Sequence, residues 1–363
     1  MLKSKIIPEA SFSNIQGTLT LVKLALGMSL VGFAFLIYDK IYIQEINYSE
    51  GFAVAREQWR QLGEDRAGQM SSIFSILGYL FGSAYYVAAV LAITQVNILS
   101  NARRVGILVA CFFLVMANSV ITGGRSSVLL LGVFLIGAMA SRREIHLRRL
   151  LGGQLQRWTI ILALGAATWY TIFVFYQRAD ASGHNSIEYL QDFLPYLGLE
   201  PAAWYRDLLE DGALGSLIGM LVLAASYMSH SFATTAAIID APVEGQTIIF
   251  VHAINILSKL GLAHNPTDDW FLSGRFPSFP GALWHQFGGI GLVMGSLLLG
   301  AASAIAKAWT ASRPSRLLPL GVFVMANVIL ILSPLLFAGD FLSFPFVLAA
   351  FILLAMVESF LRS

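Results

Sequence analysis

Long apolar runs separated by short polar breaks organise this chain. Runs near 19–38, 73–97, 105–121, 126–141, 158–176, 283–306, 317–337 and 341–358 predict helices that cross a membrane. Between 215 and 263 the pattern predicts either a further helix pair or a re-entrant hairpin. Its second limb, Thr247 to Ala263, carries His252 and Lys259 and is the weaker one. The expected total is about eight or ten transmembrane helices. The strand alternation of an outer-membrane barrel is absent, as are internal repeats and any separate soluble domain. Residues 1–363 therefore read as a single integral membrane domain, an all-α polytopic membrane protein.

Composition supports that reading, with 57% hydrophobic and 12% charged residues. Cys111 is the only cysteine, which excludes an intrachain disulfide and a CxxC metal or redox pair. The net charge of +2 says little, but its distribution says more. One set of loops holds Lys3, Lys5, Arg103, Arg104, Arg142, Arg143, Arg148, Arg149, Arg157, Lys307, Arg313, Arg316 and Arg362, against three acids, Glu9, Glu144 and Glu358. The opposite loops hold the other 18 of the 21 acids. Basic loops stay in the cytoplasm, so both termini are expected there. The first span follows a short basic segment, contains Lys23 and lacks a small-residue cleavage site, and reads as an uncleaved anchor.

The polar break Thr122-Gly123-Gly124-Arg125-Ser126-Ser127 is the most informative local feature. Gly123 and Gly124 permit a sharp bend and close backbone approach to an anion. Arg125 holds a permanent charge at the membrane boundary, where an unpaired charge is costly and where a guanidinium suits a phosphate. Snorkelling to lipid headgroups is the competing explanation. The longest cytoplasmic loop, Ser141 to Arg157, has no P-loop, dinucleotide turn or acidic metal cluster and reads as a topology determinant.

The outer segments 39–72, 177–215 and 240–287 gather polar, aromatic and ionisable residues and are the expected active-site cap. An outward site excludes cytosolic nucleotide sugars and ATP, so an activated substrate would arrive attached to a lipid. Candidate anion ligands besides Arg125 are Arg178, just past a span, and Arg275, in an irregular segment. Candidate bases are His230, His285, Asp268 and Asp269. His285 is expected to open the span near 283–306, beside Trp284 in an interfacial belt. Trp204, Tyr205, Trp270 and Trp284 add aromatic faces to the same outer segments. No metal motif, serine-hydrolase elbow or nucleic-acid signature is present, and no cofactor is expected. Ser229 and His230, being neighbours, point in different directions on one helix.

Three stretches together resemble the Wzy-type oligosaccharide repeat-unit polymerases of bacterial O-antigen and exopolysaccharide synthesis. They are Gly123-Gly124-Arg125-Ser126-Ser127 before Val128-Leu129-Leu130-Leu131; Tyr227-Met228-Ser229-His230-Ser231-Phe232; and Pro277 to Gly291, which includes Phe287-Gly288-Gly289-Ile290-Gly291. The resemblance implies a GT-C-like architecture with outer, periplasmic loop helices in the bacterial inner membrane. It implies transfer of a growing glycan from undecaprenyl pyrophosphate to a sugar hydroxyl of the next undecaprenyl-pyrophosphate-linked oligosaccharide. Membrane lipids, a chain-length regulator and a flippase are the partners it implies; nucleic acid is not one. Arg125, Arg275, Arg178, Gly123 and Gly124 would then meet the pyrophosphate, one of His230, His285, Asp268 or Asp269 would take the acceptor proton, and Trp204, Tyr205, Trp270 and Trp284 would stack on sugar faces. A lipid-linked saccharide ligase and a lipid-linked glycan transporter are the rival readings.

Overall fold

The computed structural model describes residues 15–65, 72–95, 98–122, 126–141, 212–241, 248–249, 251–264, 277–313 and 316–361, with isolated positions between 165 and 203. Every regular element among them is helical. Helix α1 (Ile15–Tyr38) runs into a wide π turn, Asp39–Ile43, followed by a 3-10 turn, Tyr48–Glu50, and α2 (Phe52–Asp65). Then come α3 (Ile73–Gly82), α4 (Ala84–Thr94), α5 (Asn101–Thr122) and α6 (Ser126–Ala140). The later described elements are α7 (Gly212–Asp240), α8 (Val251–Lys259), α9 (Phe279–Ser312), α10 (Leu317–Leu332), a 3-10 turn at Ala338–Asp340 and α11 (Ser343–Phe360).

Among the described residues, five apolar stretches are long enough to cross a membrane: Gln16–Ile43, Ile73–Thr94, Asn101–Thr122, Phe279–Ser312 and Ser343–Phe360. Helices α6 and α10 are equally apolar but shorter. Helix α4 is the axis of the bundle, with every residue from Ala84 to Thr94 buried. A helix that is apolar on all sides has no reason to face water, and Ala88, Ala89 and Ala92 let its neighbours come close. Helices α1, α5, α6 and α11 surround it. Glycine sets the closest crossing: a Cβ on Gly32 of α1 would run into the backbone of Gly82 in α3, and one on Gly78 would lie 2.7 Å from Leu36 Cγ.

The helix ends fall into two groups. At one end, here the Asp39 end, Leu36, Tyr79, Ile121, Leu342 and Phe346 pack together with Ile256 of α8. At the other, the Arg313 end, Thr310 Oγ1 donates to Pro319 O at 2.9 Å and closes the α9–α10 hairpin. There Glu358 of α11 accepts from the Leu317 N–H at 2.8 Å, which places a carboxylate at the start of α10.

Helix α9 is not one rod. Gly288 interrupts it at φ 66°, ψ −164°, a conformation open essentially to glycine alone. Twelve residues of straight helix would hold Leu283 and Gly295 about 18 Å apart. Instead a Cβ on Gly295 would lie 2.6 Å from Leu283 Cδ2, and one on Gly291 would meet Phe287 Cβ and sit 3.3 Å from Leu283 O. The arms 279–287 and 289–312 therefore double back on each other through Gly288. The expectation that His285 opens the span near 283–306 is corrected: the long apolar arm begins after Gly288, and His285 rides on the short arm before it.

The run at 73–97 is also divided, at Ser83, into α3 and α4. Between 215 and 263, α7 has 29 residues but α8 has nine, about 14 Å of helix, too short to cross a bilayer. The second limb is therefore not a crossing. The span expected at 158–176 lies outside the described residues apart from isolated positions.

Candidate functional site

At the Asp39 end, α1 leaves its apolar run by widening. The Gln44 N–H bonds to Asp39 O at 2.9 Å, an i to i−5 spacing. Such π turns recur at functional sites. The turn carries Asp39 and Lys40 inward together, to 0% and 2% exposure. Burial of these charges demands partners. Asp39 accepts from Gln44 Nε2 and from the Ser72 hydroxyl, each at 2.5 Å. The Lys40 ammonium approaches Gln44 Oε1 at 3.4 Å and stands 4.2 Å over the Trp59 ring of α2. Gln44 thus links acid and ammonium through one amide.

Tyr48 follows on the 3-10 turn, and its hydroxyl donates to Ile121 O at 2.6 Å. Burial, then the nearby Asp39 charge, pushes Tyr48 up to about 12, so it remains a protonated donor at neutral pH. Ile121 lies two residues before Gly123. Beyond the break, Ser127 is held twice: Asn118 Nδ2 donates to its Oγ at 2.9 Å, and the Tyr86 hydroxyl donates to its carbonyl at 3.2 Å. Thr122 Oγ1 donates to Asn118 O at 2.8 Å. The two ends of the Gly123-Gly124-Arg125 break are therefore anchored by side chains from α4, α5 and the 39–50 segment. Gly123, Gly124 and Arg125 themselves lie outside the described residues.

A second polar group forms at the same end, where α7 crosses the short arm of α9. Ser278 caps that arm through its Oγ, which accepts from the Gly281 N–H at 3.1 Å. Thr235 Oγ1 lies 2.7 Å from Ser278 Oγ and accepts from the Ser278 N–H at 3.3 Å. Only glycine fits at 281, since a Cβ would approach Thr235 Oγ1 to 2.7 Å. Ser226, His230 and Thr234, spaced four apart on α7, are all buried, as is His285 on the α9 arm. His230 precedes Thr235 by about 7.5 Å of helix, and His285 follows Ser278 by about 10 Å. Ser229, as expected, faces away from the buried stripe.

The segment before α8 ties these parts together. Gln286 Oε1 accepts from the Ile248 and Ile249 N–H groups at 3.2 and 3.0 Å. Phe279 N–H donates to Ser333 O at 3.0 Å, and its ring stacks on Phe337 at 5.0 Å. Ile256 of α8 packs with Tyr79 and Ile121, beside the first group.

Of the residues expected from sequence, His230, His285 and Trp284 are described, and all three lie on the α7–α9 assembly. Trp284 is half-buried, with its ring over Gly289 and its indole N–H shielded and, among the described residues, without an acceptor. Asp268, Asp269, Arg178, Arg275, Trp204, Tyr205 and Trp270 lie outside the described residues. Sequence reasoning did not single out Asp39, Lys40, Gln44, Tyr48, Trp59 or Ser72. An adjacent acid and base directly after an apolar run, with an amide four residues on, was the available signal. Among the described residues no group of three His, Cys, Asp or Glu side chains is placed to hold a metal ion. No family model matches the chain, and neither a curated protein nor a solved structure matches it.

Proposed function

We propose that the protein joins lipid-pyrophosphate-linked oligosaccharide repeat units at its Asp39 end, held at the periplasmic face of a bacterial inner membrane with both termini in the cytoplasm. The observation that carries this reading is the collection of buried polar groups at one end of an apolar bundle. His230 and His285 sit on two helices bonded through Thr235 and Ser278, at the same end as the anchored flanks of the Gly123–Arg125 break.

In the reaction the bond between the anomeric carbon and the carrier pyrophosphate breaks, and its electron pair leaves with the pyrophosphate. A hydroxyl of the incoming unit forms the new glycosidic bond and gives its proton to a base. The pyrophosphate gains charge as the bond breaks, so cationic donors accelerate the step by holding it most strongly in the transition state. Arg125 takes that role, with Arg275 and Arg178 as further contacts. His285 or His230 takes the proton; a carboxylate at Asp268 or Asp269 is the alternative base. Tyr48, Asn118 and Tyr86 act as positioning residues, because they fix the backbone on either side of the break. Trp284 offers a ring face to a sugar.

Reconstitution tests the proposal. The purified protein in lipid receives only an undecaprenyl-pyrophosphate oligosaccharide from its own source, without nucleotide sugar or ATP. A product ladder at repeat-unit spacing is expected, and it disappears in Arg125→Ala while membrane-inserted protein is retained. Normal-length polymer from Arg125→Ala refutes the pyrophosphate role. An unchanged native substrate with folded protein refutes the polymerase.

A further inference from the structure

A cavity of about 780 Å³ opens at the Arg313 end, remote from the groups described above. It lies between the end of α9, the α9–α10 turn, the start of α10 and the end of α11. Its polar wall includes Ser312, Arg313, Arg316 and Ser359; its apolar wall includes Leu318, Ile352 and Met356; Trp309 lines it as well. Among the described residues neither guanidinium has a side-chain hydrogen bond or ion pair. The acid in the lining, Glu358, directs Oε2 to the Leu317 N–H at 2.8 Å. Ile352 and Met356 are 42% and 55% exposed, so the apolar wall faces out of the bundle and the cavity opens sideways.

We propose that this cavity binds an anionic phospholipid, with the phosphate between Arg313 and Arg316 and the acyl chains along Leu318, Ile352 and Met356. Two guanidiniums without acceptors among the described residues supply the charge complement, and an arginine fork matches phosphate oxygens in a way a single point charge does not. A water-soluble phosphate would use the polar wall alone and leave the outward apolar wall bare. A phospholipid satisfies both walls at once, and Trp309 has the amphipathic ring that settles at headgroup level. Basic cavities between helices on the cytoplasmic side are a recurrent way of holding anionic headgroups. The site is separate from the proposed polymerase chemistry, and its test needs no substrate.

The experiment uses the full chain purified in detergent. Tryptophan fluorescence is titrated with phosphatidylglycerol brominated on its acyl chains, and separately with brominated phosphatidylcholine. The Trp309 contribution is the difference between the wild type and Trp309→Phe. Quenching of Trp309 is expected at a roughly thirtyfold lower mole fraction of phosphatidylglycerol, the preference two arginines near an anionic headgroup supply. That preference disappears in Arg313→Gln/Arg316→Gln. Equal quenching by the two lipids overturns the proposal. So does displacement of the phosphatidylglycerol signal by millimolar glycerol phosphate, which would assign the cavity to a soluble phosphate. If the double variant does not fold, the comparison of the two lipids on the wild type decides alone.

Discussion

The doubling back of α9 makes a sharp test at Gly291, because a single methyl group separates tolerance from collision. A Cβ at Gly291 would overlap Phe287 Cβ and press to 3.3 Å on Leu283 O. Neither atom is the free end of a flexible side chain, so relief requires movement of the backbone at the turn. Overpacking of this kind costs about 1–3 kcal/mol. Gly300, farther along the same arm, is the internal control: nothing lies within 4 Å of a Cβ there. Alanine at an open helical position is favoured over glycine by about 1 kcal/mol. That gain is common to both helical positions, so Gly291→Ala and Gly300→Ala should differ by about 1–3 kcal/mol although each adds the same group to the same helix. Thermal unfolding of the two variants in detergent, followed by tryptophan fluorescence, measures the difference. Gly291→Ala should also reduce chain elongation, since the displaced arm carries Trp284, His285 and Gln286. If the two variants unfold together and elongate alike, the arms do not pack as tightly as described and the argument fails.

Two further outcomes follow from named contacts. Gln286→Leu removes one oxygen that serves two N–H groups, leaving Ile248 and Ile249 unpaired and buried; hydrogen exchange at both amides should accelerate by an order of magnitude or more, and Gln286→Glu, which keeps an acceptor, should restore protection. Tyr48 should ionise near pH 12 in the folded protein against about 10 in the unfolded chain, so its contribution to stability is complete below pH 10 and declines as pH rises from 10 towards 12. Tyr48→Phe should flatten that alkaline limb in unfolding measured against pH and lower elongation by loosening Ile121; an unchanged limb would show that another group titrates there.

Much of the architecture was legible because a bilayer leaves the chain little choice. A run as apolar as Ile73 to Thr94 must pair its own backbone groups, and helix is the way one segment does so. The spans expected near 105–121, 126–141 and 341–358 correspond to α5, α6 and α11 within a few residues. Periodicity does not, however, report where a continuous apolar run folds back. Phe287 to Gly291 reads as the start of one helix, yet the φ of Gly288 and the bare faces of Gly291 and Gly295 turn it into two arms. Thr247 to Ala263 reads as a weak span, yet its Ile249 bonds to Gln286 and its Ile256 packs beside Tyr79 and Ile121, so it bridges two polar groups.

The candidate site divides in the same way. From the sequence by itself came the expectation that polar and ionisable chemistry gathers in the loops opposite the basic ones, because charge is expelled from apolar runs and lysine and arginine favour one side. It singled out His230, His285 and Trp284 one at a time. Tertiary structure alone decided that α7 crosses the α9 arm through Thr235 and Ser278, and that Asp39 and Lys40 turn inward to share Gln44. It also decided that Tyr48 reaches a carbonyl 73 residues away, at the edge of the break. Contacts of that range depend on which helices meet, and that choice is made by steric fit at glycines such as Gly32 and Gly281, whose lack of a side chain acquires meaning only once a neighbour is in place.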